Sequence, residues 1–204
     1  MGALQLTGAV GVDRYEPIWV KQYISSPILC LSFNMAAHTL TTGMTDGSVN
    51  VYDAHAPNLG LISITSFFCH RYSSVTCLVV SPDGNIMATG GLDSKVKLWV
   101  FYSDGWEERK VTGSGHASGV TCLSFSADGT RLVSSGIDKK LVVWDVESGA
   151  EIMTLSGHAA ATYAVRYGAL RMRGETDMCV CCSMVCRQVQ LRFYDRRRWS
   201  RHLQ

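Results

Sequence analysis

The sequence predicts an all-β fold assembled from a recurring four-stranded antiparallel sheet. Three observations carry that expectation. Short apolar runs, rich in β-branched and aromatic residues, alternate with turns of two to four residues. The pattern Asp-x-x-Val/Leu-x-Val/Leu-Tyr/Trp recurs as DGSVNVY, DSKVKLW and DKKLVVW, with a divergent fourth copy, QVQLRFY. The aromatics that end the copies, Tyr52, Trp99, Trp144 and Tyr194, stand 47, 45 and 50 residues apart. A period of this size marks a repeat architecture, in which one unit cannot bury both faces of its sheet alone.

The clearest unit runs from Gly115 to His158. Val120, Leu123 and Phe125 make its first strand, and Asp128-Gly129 turns the chain. Leu132 to Ser135 form the second strand, and a tight turn begins at Asp138. Leu141, Val143 and Trp144 form the third, ending in Trp144-Asp145. Ser148-Gly149 leads into a fourth, Ile152 to Leu155. The first unit places its strands near Ile28–Phe33, Thr39–Thr42, Val49–Tyr52 and Leu61–Ile64. The second runs from His70 to Val111. It includes the turn Ser81-Pro82-Asp83-Gly84, where Pro presets φ and Gly supplies φ > 0. In the fourth unit, Gly168 to Asp177 reads as a surface loop between the first two strands, carrying Arg171, Arg173 and Glu175. Thr42, Thr89 and Ser134 occupy one equivalent position, and Cys30, Cys77 and Cys122 another.

These features together resemble the WD-repeat (WD40) β-propeller family. The carriers are the Gly-His pairs at 115–116 and 157–158, the hydroxyl of the second strand, the turn aspartate and the closing Trp-Asp. The third unit fits best. The first lacks the histidine and has Tyr52. The fourth keeps His158 but has Met184 for the hydroxyl residue and Gln188 for the aspartate. The resemblance implies an all-β propeller with about four blades in view, a partial ring beside the usual seven or so blades of ~40–45 residues. The expected organisation is an N-terminal extension (1–18), blades at about 19–66, 67–112, 113–156 and 157–195, and a basic tail (196–204). Trp19 to Ile24 stand where a preceding blade's fourth strand belongs. Trp199 to Leu203 are an alternative fourth strand for the last blade.

His116, Ser134 and Asp138 are by residue type a hydrolase triad. The set recurs, however, as His70, Thr89 and Asp93, and an active site does not come once per blade. The resemblance implies instead a structural relay: His70, Thr89, Asp93 and Trp99 in the second blade, and His116, Ser134, Asp138 and Trp144 in the third. In such a relay the aspartate accepts from the imidazole, the imidazole meets the hydroxyl, and the hydroxyl accepts from the indole.

Bulk properties narrow the function. Hydrophobic residues are 47% and charged residues 18%, which is globular rather than disordered composition. A net charge of +2 gives no case for a nucleic-acid or anionic-membrane partner. No apolar run approaches the ~18 residues of a membrane span, and the N-terminus lacks the basic start of a secretory signal. Eight cysteines, most of them in apolar strands, suit a reducing, intracellular setting, cytoplasmic or nuclear. Cys179, Cys181, Cys182 and Cys186 do not have the two-pair spacing of a zinc site, so no metal or cofactor is expected. The late arginines, Arg187, Arg192, Arg196, Arg197, Arg198 and Arg201, read as a solvated edge and tail, or as a site for an anionic partner.

The resemblance implies protein recognition by loops on a rigid ring rather than catalysis. Residues expected to face the central opening are Thr45, Leu92, Ile137 and Arg187, before each turn aspartate, and Leu29, Thr76, Thr121 and Tyr163, at the start of each first strand. The expected function is a non-catalytic interaction scaffold or adaptor in a larger complex, binding a protein or peptide on this face. Two further classes stay open. Tyr194-Asp195-Arg196-Arg197 resembles the Trp-Asp-x-Arg element of propellers that act as substrate receptors for cullin-type ubiquitin ligases. An RNA-associated complex is the third.

Overall fold

The computed structural model describes residues 26–35, 37–54, 62–102, 105–111, 115–172, 175–184 and 187–193, and from residue 168 on only the course of the backbone. The described residues form fifteen strands and no helix. The first sheet pairs β1 (Ile28–Asn34), β2 (Thr39–Met44), β3 (Ser48–Asp53) and β4 (Ile62–Phe68) in that order. The second does the same with β5 (Val75–Val80), β6 (Ile86–Gly91), β7 (Val96–Tyr102) and β8 (Gly105–Val111). The third has β9 (Val120–Phe125), β10 (Arg131–Gly136), β11 (Leu141–Asp145) and β12 (Glu151–Leu155). The fourth has β13 (Ala164–Met172), β14 (Glu175–Met184) and β15 (Arg187–Phe193). All neighbours within a sheet are antiparallel.

One expectation is corrected. The stretch from Gly168 to Asp177 is not a loop insert. β13 and β14 pair without interruption from Ala164↔Ser183 to Met172↔Glu175. Arg171 pairs with Thr176, and a hairpin keeps its backbone ladder whatever charges its side chains carry. Trp19 to Ile24 and Trp199 to Leu203 lie outside the described residues.

The repeat extends to irregularities. The pairing of the third and fourth strands slips one residue just before the aromatic, at Val51/Tyr52, Leu98/Trp99 and Val143/Trp144. Such bulges sharpen the local twist, and all three sheets take it at the same place. The sheets stack through their first strands: β1 packs on β5, β5 on β9 and β9 on β13. Each seam between sheets holds its own apolar cluster. Val49, Val51, Val75, Leu78, Met87 and Trp99 fill the first. Ala88, Leu98, Leu123, Phe125, Leu132 and Trp144 fill the second. Val133, Leu141, Val143 and Val165 fill the third.

The face of β1 away from the stack shows what a seam does. Leu31 is 64% exposed, whereas its equivalents Leu78 and Leu123 are 7% exposed. The described residues therefore form an open stack whose first sheet has one uncovered face. Burying a leucine of this kind contributes about 1.5–3 kcal/mol, so each seam is a large part of its sheet's stability.

In the first three sheets the turn after the second strand has a left-handed residue: Gly47 (φ 85°), Ser94 (φ 66°) and Lys139 (φ 66°). A Cβ at Gly47 would overlap the carbonyl oxygens of His70 and Ser73. The Gly47 carbonyl also accepts from the amides of Cys69 (2.9 Å) and His70 (3.1 Å). Gly47→Ala is expected to destabilise the chain by on the order of 3 kcal/mol, through left-handed strain plus overlap. Ser94→Gly and Lys139→Gly are expected to be nearly neutral, since relief of strain and loss of chain entropy offset one another. Urea-denaturation midpoints of the three variants check this.

Candidate functional site

Two chains of polar groups run through the seams. In the second sheet, the Trp99 indole Nε1–H donates to Thr89 Oγ1 at 3.0 Å. Thr89 Oγ1 lies 3.0 Å from His70 Nε2, and His70 Nδ1 lies 2.9 and 3.0 Å from the two Asp93 oxygens. In the third sheet, Trp144 Nε1–H donates to Ser134 Oγ at 2.8 Å. Ser134 Oγ is 2.7 Å from His116 Nε2, and His116 Nδ1 is 3.0 and 3.2 Å from the Asp138 oxygens. One assignment satisfies every group: indole donates to hydroxyl, hydroxyl to Nε2, and Nδ1–H to carboxylate. Each chain ties the loop before the first strand to the second strand, the turn and the third strand.

Local backbone makes room for these groups. A Cβ on Gly91 would lie 2.6 Å from both His70 Nδ1 and Asp93 Oδ1, and one on Gly136 would lie 2.6 Å from His116 Nδ1 and Asp138 Oδ1. A glycine ending the second strand is therefore a requirement of the relay, and sequence reasoning missed it. The signal was present: Gly91 and Gly136 each stand two residues before the aspartate. Asp138 also accepts from the amides of Ala117 (2.9 Å) and Lys140 (3.2 Å).

Electrostatics follow from burial and partners. Burial holds the His70 imidazole below its ordinary value, against the opposing pull of the Asp93 carboxylate. Burial works to raise Asp138, but the Ala117 amide and His116 outweigh it and hold the carboxyl below its ordinary range. The hydroxyls of Thr89 and Ser134 are fully buried, and each already receives an indole proton. A substrate has no path to either oxygen, so the His-Ser-Asp geometry is not that of a nucleophile and its base.

The first sheet lacks the chain, and in the fourth most of the corresponding side chains lie outside the described residues. In the first, Thr42 Oγ1 is buried with no hydrogen-bond partner among the described residues. Tyr52 stands at the tryptophan position, and its hydroxyl accepts from Asn50 Nδ2 at 3.1 Å. In the fourth, His158 is half-buried, and the side chains of Met184 and Gln188 lie outside the described residues.

The residues expected to face the central opening divide into two kinds. The amides of Thr45, Leu92 and Ile137 donate to Pro27 O, Ser74 O and Gly119 O at 3.0, 3.1 and 2.9 Å, so all three hold the same place in their loops. Leu92 is 52% exposed and Ile137 is exposed beside it. A Cβ on Gly119 would lie 2.9 Å from Leu92 Cδ2 and 3.3 Å from Ile137 Cδ1, so the two side chains flank one loop. Tyr163 is 62% exposed, and Leu29 is exposed as well. The threonines are occupied. Thr76 Oγ1 lies 2.5 Å from Val120 O on the next sheet and 2.9 Å from Gly90 O, its single proton serving these two acceptors. Thr121 Oγ1 bonds Thr162 O and lies 3.0 Å from Ser135 Oγ. Thr45 Oγ1 is 2.6 Å from Ser26 Oγ. Arg187 opens β15, and its side chain lies outside the described residues. So do the side chains of Cys179, Cys181 and Cys182, together with Cys186 and the stretch Tyr194 to Arg197. Among the described residues no group of three or more His, Cys, Asp or Glu is placed to hold a metal. No helix among them is long and apolar enough to cross a membrane.

Four-stranded antiparallel sheets, stacked through their first strands and tied by His-hydroxyl-Trp relays, define a partial β-propeller. The model of the WD domain, G-beta repeat, matches residues 19–53, 62–100 and 108–145. The chain belongs to the WD-repeat family. Two solved structures share its fold. Against U3-55K the identity is 21% and the TM-score 0.65, over 85% of this chain and 53% of that one. Against the WD40 repeats of RRP9 the identity is 21% and the TM-score 0.65, over 85% of this chain and 52% of that one. This chain thus spans about half the length of these structures. No curated protein matches its sequence.

Two outcomes check the relay. Ser134→Ala is expected to lower stability by about 1–3 kcal/mol by orphaning the His116 and Trp144 nitrogens, whereas Thr42→Val is expected to leave it unchanged or raise it by about 1 kcal/mol. Thermal melts of the two variants separate the cases. The second outcome concerns pH. His70 has a lower pKa folded than unfolded, so below its ordinary value of 6.5 the unfolded chain takes up a proton that the folded chain refuses. Stability is expected to fall as pH drops from 7 toward 5, and His70→Asn is expected to flatten that slope. Asp138 has the carboxylate sense: its contribution is full above 3.8 and is lost below that.

Proposed function

We propose that this chain is a non-catalytic interaction scaffold whose channel face docks a peptide or partner domain. WD repeats build a rigid support for recognition, and the loops on that support carry the specificity. One observation carries the reading. Leu92 and Ile137, at one repeat position, and Leu29 and Tyr163, at another, leave large side chains exposed. The neighbouring threonines are spent on holding sheet to sheet. Fixed loops with exposed apolar anchors suit docking, because little side-chain or backbone order remains to be imposed on binding.

The test is a native affinity purification of the chain beside a Leu92→Asp, Ile137→Asp double variant. Loss of co-purifying proteins from the variant is expected, with stability unchanged to within about 0.5 kcal/mol because both sites are exposed. An unchanged set of partners would sink the proposal.

A further inference from the structure

A second recognition feature lies away from the channel, in the seam between the first two sheets. A cavity of about 540 Å³ opens there between β4 and the β7–β8 hairpin. Its floor is aromatic. Phe67 and Trp99 have ring centroids 5.0 Å apart, and Trp106 joins them from β8, packed against Phe101 at 5.3 Å. Phe68 forms part of the wall and is largely exposed.

The charges around this floor are not what the repeat needs. Lys97 occupies the position that Val142 fills, fully buried, in the third sheet. Its ammonium sits 5.6 Å from the centroid of the Trp99 ring and 2.8 Å from Glu108 Oε2. Asp93, the other carboxylate of the cavity, is held by His70. Arg71 and Lys95 complete the lining, and among the described residues neither side chain has an ion-pair partner. Both carboxylates are therefore engaged, while two exposed cations remain free at the mouth. Next to Arg71, Tyr72 is fully exposed and sits at φ 64°. A bulky residue held in the left-handed region is a strained arrangement.

We infer that this seam is a docking groove for an acidic peptide: a bulky apolar side chain enters onto Phe67, Trp99 and Trp106, and flanking carboxylates meet Arg71 and Lys95. Charge complementarity selects the occupant. The free groups are cationic, and an aromatic floor beside them rewards a side chain that leaves water. A single-stranded nucleic acid would also seek cations and aromatic faces. The floor, however, is recessed within a seam, which suits one inserted side chain better than a run of successively stacked bases.

Fluorescence anisotropy on the full chain tests this with labelled hexapeptides. One probe has a central Leu-Phe flanked by two glutamates on each side. A second replaces Leu-Phe with serines, a third replaces the glutamates with glutamines, and an oligouridylate is the fourth. The first probe is expected to bind saturably, weaken as salt rises and change the intrinsic tryptophan emission; the second and third bind about ten-fold more weakly or worse. Arg71→Ala with Lys95→Ala is expected to weaken the first probe about ten-fold while leaving the melt in place, since both residues are exposed. Trp106→Leu, which keeps an apolar residue in the seam, is expected to weaken it as well. Equal binding by the double variant, indifference to the loss of Leu-Phe, or tighter binding of the oligouridylate would each overturn the assignment.

Discussion

A β-sheet wets one face cheaply only if that face is polar, and the inner strands here are apolar on both. β9 points Val120, Leu123 and Phe125 into one seam and Cys122 into the other. Both faces must therefore be covered, and stacking sheets through their first strands does so. Other features of the fold accommodate that stacking. Small residues at Gly43 and Gly90 let the next sheet close in: a Cβ there would lie 2.7 Å from Val75 Cγ1 and from Val120 Cγ1, respectively. Thr76 and Thr121 then bridge across, each giving its hydroxyl to a carbonyl of the next sheet or the loop before it.

A stack this dry makes any polar group inside it expensive unless it is fully partnered. The relays meet that condition by chaining donor to acceptor until the last carboxylate, which reaches partly out to water. Side-chain exposure is 22% for Asp93 and 6% for Asp138. The first sheet shows the alternative. Without the histidine, Thr42 keeps a hydroxyl in an apolar place, and Tyr52 turns its own hydroxyl toward Asn50 instead. The relay is thus an internal tie whose members stand or fall together.

Much of this was legible in the residues. DSKVKLW and DKKLVVW announce turn, strand and aromatic anchor in seven positions, and β7 and β11 follow them closely. The four members of each relay were identifiable because the same types recur at the same offsets. The glycines at 91 and 136 were harder, since their reason is the volume of a histidine that arrives from another segment. The hairpin of β13 and β14 was misread because charge suggests solvent but says nothing of backbone pairing. The seam cavity was invisible for a related reason. Phe67, Arg71, Lys95 and Trp106 are scattered over some forty residues, and only the packing of two sheets gathers them.

The repeated cysteine has a consequence of its own. Cys30 belongs to the first seam, Cys77 to the second and Cys122 to the third. Burial pushes the Cys30 thiol up to about 12 and raises Cys77 as well, so neither ionises while its seam is shut. Alkylating reagents attack thiolates in contact with solvent. Cys77 is buried in its seam, so its modification rate reports how often the second and third sheets part and gives the chain an internal clock for local breathing at that joint.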